Sequence, residues 1–204
     1  MSTIISTGKP ILDSLARPLR DLRISVTDRC NFRCVYCMPR EVFGPGYAFV
    51  PREDLLTLEE IARIARVFAA IGMRKVRITG GEPLIRRNLD HLIEMIDAMD
   101  EVDDISLTTN GSMLSPGRAV DLRKSGLKRL TISLDALDDP TFKRINDVDY
   151  PVSRVLDGIE HARAAGFSGT KINVVVRRGF NQHAVLDLVK HFRHTDCIVR
   201  FIEY

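Results

Sequence analysis

Cys30, Cys34 and Cys37 stand in the stretch SVTDRCNFRCVYCMP with the spacing Cys-x-x-x-Cys-x-x-Cys. Thiolates are soft ligands, and three of them can hold three irons of a [4Fe-4S] cluster. The fourth iron then has no protein ligand, and an open position on a metal is where a small molecule binds and reacts. Two other chemistries compete for the same residues. A structural zinc site needs a fourth ligand, and the first histidine, His91, is far along the chain. A disulfide framework needs an even number of thiols, and three clustered ones cannot pair evenly. The spacing therefore predicts an iron–sulfur centre with Cys30, Cys34 and Cys37 as metal ligands and as the catalytic group. Cys197 is remote from the triplet and reads as a small buried hydrophobe.

A strand-and-helix alternation positions these residues. Apolar, β-branched runs predict strands at 22–26, 75–79, 104–108, 129–134, 171–176 and 198–204. Helical patterns separate them. Thr57-Leu58-Glu59-Glu60 predicts a capping box, followed by an apolar stripe of Ile61, Ile64, Ala65 and Phe68 that ends at Gly72. Asn88 is expected to cap a second helix with Leu89, Leu92, Ile93 and Ile96 inward. Ser115-Pro116 opens a third, closed by Gly126, and two more are expected at 152–165 and 182–193. Alternating units of this kind build a parallel sheet covered by helices. Six units are too few for a closed eight-stranded barrel. The fold class expected is α/β, a partial (βα)6 parallel barrel, with a doubly wound flat sheet as the alternative. In either, ligands sit at the carboxyl ends of the strands. The motifs fall there: the cysteines after the first strand, Gly80-Gly81-Glu82-Pro83 after the second, Thr109-Asn110-Gly111 after the third and Asp135 after the fourth.

The bulk properties set limits. A chain of 204 residues with 45% hydrophobic residues is enough for one domain with a sizeable core. A net charge of +3 does not argue for a nucleic-acid partner. No apolar run approaches the length that spans a bilayer. The N-terminus lacks the pattern of a secretory signal, so a cytoplasmic, reducing location is expected. The last expected strand runs apolar to Tyr204 with neither turn nor helix behind it. A domain seldom stops inside a core strand, so a truncated chain is expected.

The motif CNFRCVYC resembles the signature of the radical S-adenosylmethionine superfamily. The blocks RDLRISVTDRCNFRCVYCMP, RITGGEPLIR, LTTNG, TISLDAL and RFIEY resemble, more specifically, the molybdenum-cofactor GTP 3′,8-cyclases. The resemblance covers about residues 18–204, a radical S-adenosylmethionine core domain, and leaves 1–17 as an N-terminal extension. It implies a [4Fe-4S] cluster whose open iron is chelated by S-adenosylmethionine. One electron would cleave that cofactor to a 5′-deoxyadenosyl radical, which would take a hydrogen from C3′ of GTP before ring closure at C8. An electron donor is then a required partner, and a homodimer is left open.

By the same resemblance, Tyr36 approaches the adenine, and Gly81 and Glu82 line the methionine end of the cofactor. Ser133 and, more weakly, Asn173 contact S-adenosylmethionine. Arg23, Arg77, Thr108 and Lys171 match positions that bind GTP. Charged residues inside strands of a parallel sheet are costly unless paired, but in a barrel lumen they can meet a triphosphate. The alternative for each is an internal ion pair. The family also has a C-terminal segment with three more cysteines for a second cluster that holds the guanine, and a methionine soon after RFIEY. Neither is in this chain, and one extra residue lies between Thr109 and Ser133. Two further readings remain open: another radical S-adenosylmethionine enzyme, such as a peptide-modifying one, and a non-catalytic metal-binding fragment.

Overall fold

Six strands form one sheet in the order in which they occur in the chain, each parallel to its neighbours. They are β1 (Asp21–Ser25), β2 (Lys75–Thr79), β3 (Asp104–Thr109), β4 (Arg129–Ser133), β5 (Lys171–Val176) and β6 (Ile198–Glu203). The computed structural model describes residues 11–204, so part of the expected 1–17 extension lies outside the described residues. Parallel neighbours need crossover connections, and these are right-handed by strong preference. Successive right-handed crossovers that never reverse direction put every helix on the same side. The sheet is therefore singly wound, an open part of a barrel, and the doubly wound alternative is ruled out by the strand order.

The helices are α1 (Leu58–Ala70), α2 (Leu89–Asp97), α3 (Pro116–Lys124), α4 (Asp139–Asn146), α5 (Val152–Ala164) and α6 (Val185–Phe192). The capping box of α1 is formed: Glu60 N donates to Thr57 Oγ1 at 3.1 Å and Thr57 N donates to Glu60 Oε2 at 2.8 Å. Ser115 caps α3 as expected. Asn88 precedes α2, but with a left-handed backbone (φ 56°) and no side-chain cap bond. The stretch expected to be one helix from 182 starts as a 3-10 turn, Gln182–Ala184, before α6. The helix α4 was not expected from the sequence. Its Asp138-Asp139-Pro140 start resembles a turn, yet Asp138 accepts from Thr141 N at 2.9 Å and caps it. No helix among the described residues is long and apolar enough to cross a membrane.

Strand alternation gives the sheet two unlike faces. Val76, Ile78, Ile105, Leu107, Leu130, Ile132, Ile172 and Val174 lie on the helix-covered face, each at most 1% exposed. The other face carries Arg23, Arg77, Ser106 and Arg129 in register across β1 to β4. Thr108, Thr131 and Lys171 form a second row, and Ser133, Asn173 and Arg200 a third. A parallel sheet buried on both sides would be apolar on both. This one is polar along its concave side, so that side is a lumen rather than a second core.

Leu107 is fully buried in β3. Leu107→Ala is expected to lower the unfolding free energy by about 3 kcal/mol through lost transfer energy and a residual cavity. Thr131→Ala, on the polar face of β4, is expected to cost less than about 1 kcal/mol. Denaturant titration of both variants checks the assignment of the two faces.

Candidate cofactor and anion site

The cysteine loop leaves β1 at the carboxyl end of the sheet, where it has no strand or helix to satisfy its backbone. Its polar groups are met from two sides. Arg33 N donates to Asn146 O at 3.0 Å and Val35 N to Ile145 O at 2.9 Å, so the loop takes up free carbonyls at the end of α4. The Arg33 guanidinium donates inward to Cys30 O at 2.7 Å, Phe32 O at 2.8 Å and Phe43 O at 3.2 Å. Phe32 anchors the loop in an aromatic cluster, its ring centre 6.0 Å from Phe142 of α4 and 5.5 Å from Tyr150.

Cys30 and Cys34 are partly buried and Cys37 is exposed. Phe32 N donates to Cys30 Sγ at 3.4 Å, and Cys34 Sγ lies 3.1 Å from Asn146 Oδ1. Burial pushes the thiols of Cys30 and Cys34 up from their ordinary range. Among the described residues no three His, Cys, Asp or Glu side chains are placed to share one metal ion. A cubane cluster asks for something else, because each thiolate takes its own iron. Three thiols on one short loop, with a backbone N–H already directed at one sulfur, fit that donor set. A groove lined by Arg29, Cys30, Arg33, Arg40, Phe43 and Phe49, among others, opens beside the loop with a volume of about 780 Å³.

The Gly80–Glu82 turn after β2 packs directly on the approach to Cys30. Gly81 N donates to Thr27 O at 2.7 Å and Glu82 N to Arg29 O at 2.8 Å. A Cβ on Gly81 would lie 2.3 Å from Arg29 O, and one on Gly80 would lie 2.7 Å from Thr27 O. The close approach that these glycines permit is thus made by the chain itself, to the residues that lead into the cysteine loop. Glu82 is fully buried. Its carboxylate accepts from Thr109 Oγ1 at 2.7 Å, Asn110 N at 2.7 Å and Leu84 N at 3.0 Å. Burial raises its pKa, and these three donors pull in the opposite direction. The structure shows Glu82 tying the end of β2 to the end of β3.

Tyr36, between the last two cysteines, reaches across to β4. Its hydroxyl donates to Asp135 Oδ2 at 2.8 Å, and Val175 N donates to Asp135 Oδ1 at 2.7 Å. Asn181 Nδ2 donates to Asp135 O at 2.9 Å. Burial pushes the Asp135 carboxyl up to about 6. Sequence reasoning placed Asp135 at the strand end but gave it no role; only the fold reveals the tie, since 99 residues separate it from Tyr36.

Below this rim lie the lumen cations. Arg23 and Arg77 face each other on adjacent strands, and both are exposed. Lys171 has its pKa lowered by burial and by Arg129, Arg200 and Arg77. Among the described residues Arg23, Arg77, Lys171 and Arg200 form no ion pair. Arg129 does: its Nε donates to Asp104 Oδ1 at 2.9 Å. Arg200 was missed from sequence because the RFIEY block was read only as a strand and as part of the family resemblance, and its register opposite Asn173 is what places it here. Thr108 and Ser133 point to the same lumen, and Asn173 Oδ1 is buried there without a partner. The arrangement can hold an anion beneath a thiol-rich rim, with hydroxyl and amide groups between.

Residues 24–192 match the model of the radical SAM superfamily, and the chain belongs to it. The chain is 55% identical over 196 residues to the GTP 3′,8-cyclase of Acidothermus cellulolyticus, covering 96% of this chain and 54% of that protein. It is 48% identical over 194 residues to the GTP 3′,8-cyclase of Staphylococcus epidermidis, covering 95% and 56%. The chain thus spans about half the length of these relatives. Among solved structures, methylornithine synthase (PylB) superposes with a TM-score of 0.69 at 14% identity, over 91% of this chain and 53% of that one. The protein anSMEcpe with bound AdoMet superposes with a TM-score of 0.68 at 18% identity, over 92% and 50%. At these identities the likeness concerns the fold.

Because the Gly81 Cα faces the Arg29 carbonyl, Gly81→Ala is expected to push the loop ahead of Cys30 out of place. Iron bound after anaerobic reconstitution should fall by at least half. Full iron retention in that variant would show that the two loops can separate without disturbing the cysteines.

Proposed function

We propose that this chain carries the radical-generating part of a GTP 3′,8-cyclase of molybdenum cofactor biosynthesis. In this reading Cys30, Cys34 and Cys37 hold a [4Fe-4S] cluster, S-adenosylmethionine lies at the rim and GTP lies in the lumen. The observation that carries the reading is the combination of a three-thiol rim with cations on the polar face of the sheet that form no ion pair among the described residues. The names and identities of the relatives support it. When bound, the cluster and S-adenosylmethionine together supply one-electron cleavage of a sulfonium and hydrogen abstraction from the substrate.

The chain's own residues bind and orient. Arg23, Arg77 and Lys171 grip the triphosphate, since the guanidinium fork matches phosphate oxygens and neighbouring like charges without carboxylates are stabilised by an anion. Thr108 offers a hydroxyl to the same nucleotide. Ser133 and Asn173 serve S-adenosylmethionine; the partnerless Asn173 Oδ1 is an acceptor suited to a ribose hydroxyl. Tyr36, braced by Asp135, holds the cysteine loop against the adenine side, while Gly81 and Glu82 shape the methionine end. The electron comes from an outside donor, and the setting is the reducing cytoplasm. The alternative reading, a peptide-modifying enzyme, is not favoured, because the lumen cations call for a phosphorylated substrate.

Two measurements test this reading. The reconstituted chain, given S-adenosylmethionine and dithionite, is expected to release 5′-deoxyadenosine, and Cys34→Ala is expected to abolish it. GTP binding, followed by calorimetry, should weaken with added salt and fall about tenfold in Arg77→Ala, the loss of one charged hydrogen-bonding group. Unchanged GTP affinity in both Arg77→Ala and Lys171→Ala would remove GTP from the lumen.

A further inference from the structure

Asn110, in the loop after β3, is the only residue outside the cysteine loop whose N–H is directed at a cysteine sulfur among the described residues. Its Nδ2 lies 3.9 Å from Cys30 Sγ. The orientation of the amide is set by its partners. Oδ1 accepts from Ser112 N at 3.0 Å and from Ser112 Oγ at 2.6 Å. A backbone N–H can only donate, so the oxygen must face Ser112 and the nitrogen must face the cysteine loop. One amide proton goes to Asn31 Oδ1 at 2.8 Å, and the other is left for the sulfur. The support is held from behind as well. Asn110 N donates to the buried Glu82 carboxylate at 2.7 Å, and the Tyr150 hydroxyl donates to Ser112 O at 2.7 Å.

We infer that Asn110 tunes the iron–sulfur cluster, donating its side-chain N–H to the Cys30 thiolate and raising the reduction potential of the cluster bound there. The inference rests on the cluster proposed above. Reduction adds one negative charge to the iron–thiolate unit. An N–H dipole aimed at a ligand sulfur stabilises the reduced form more than the oxidised one, and hydrogen bonds to sulfur are among the levers that set such potentials. A thiolate is also a stronger acceptor than a thiol, because charge-assisted hydrogen bonds are shorter. Phe32 N supplies a second donor to the same sulfur. Among the described residues Cys30 is therefore the ligand with the most N–H donation, and Asn110 is its only side-chain donor. Asn110 is a positioning residue: it acts on the cofactor through a ligand and makes no claim on the substrate.

The test is iron quantitation with a redox titration followed by electron paramagnetic resonance on the anaerobically reconstituted chain. Asn110→Ser keeps a hydroxyl that can accept from Ser112 N and so preserves the turn. It is expected to retain iron and to lower the reduced-to-oxidised ratio at a fixed potential about threefold or more. For a one-electron couple at 59 mV per decade that is a shift of about 28 mV toward more negative potential. Asn31→Ala removes the acceptor of the other amide proton and leaves the one directed at the sulfur, so its midpoint is expected to stay or rise. A merely structural role for Asn110 would not separate the two variants in this way. An Asn110→Ser protein with full iron and the wild-type midpoint would overturn the inference. So would an Asn31→Ala midpoint as low as that of Asn110→Ser. If Asn110→Ser takes up no iron, Asn31→Ala decides alone, a lowered midpoint counting against the inference. A wild-type chain that binds no iron overturns the cluster and this inference together, whereas a normal cluster with no GTP affinity sinks only the substrate.

Discussion

One face of this sheet is polar, and the remaining features of the molecule depend on that. A parallel sheet ordinarily needs cover on both sides, because its side chains alternate and its crossovers bring helices to each face. Here the strand order never reverses, so all the helices are spent on one side. The uncovered side cannot be apolar without exposing a large hydrophobic surface. It carries arginine, lysine, serine, threonine and asparagine in three cross-strand rows. The same constraint that keeps the second face out of the core thus creates a concave, cation-lined lumen.

The rim above that lumen is held by buried polar ties between loops that are remote in sequence. Glu82 joins the ends of β2 and β3 through three donors, and Asp135 joins Tyr36 to β5. Each carboxylate is costly to bury, and each is compensated by hydrogen bonds rather than by a cation. Breaking either tie leaves a buried acceptor without its donors, so a loop cannot drift away alone. The α4 helix completes the frame by lending its terminal carbonyls to the backbone of the cysteine loop. A loop with three thiols is thereby kept in place mainly by backbone and carboxylate ties.

Charge is distributed to match. Carboxylates at the rim are enclosed by hydrogen-bond donors, while among the described residues the cations below form no ion pair apart from Arg129–Asp104. Lys171 feels Arg129, Arg200 and Arg77 together, a repulsion that an anionic ligand relieves. Binding an anion there is favoured both by what it gains and by the strain it removes.

Much of this was legible in the sequence. The cysteine spacing, the alternation of strands and helices, the capping box of α1 and the strand-interior arginines are local patterns, and local patterns determine element type and ligand chemistry. The polar face was legible too, since Arg23, Arg77 and Lys171 interrupt strands with unmistakable charge. The sequence could not say what the Gly80–Gly81 pair approaches, which donors Glu82 collects, or that Asp139–Asn146 is a helix supporting the cysteines. It also could not place Asn110 beside Cys30 or Arg200 beside Lys171. Those facts depend on contacts between residues far apart in sequence, 27 positions for Glu82 with Thr109 and 112 for Asn146 with Cys34. Such contacts are settled by strand register and crossover geometry, so only the tertiary structure decides which side chains share the rim.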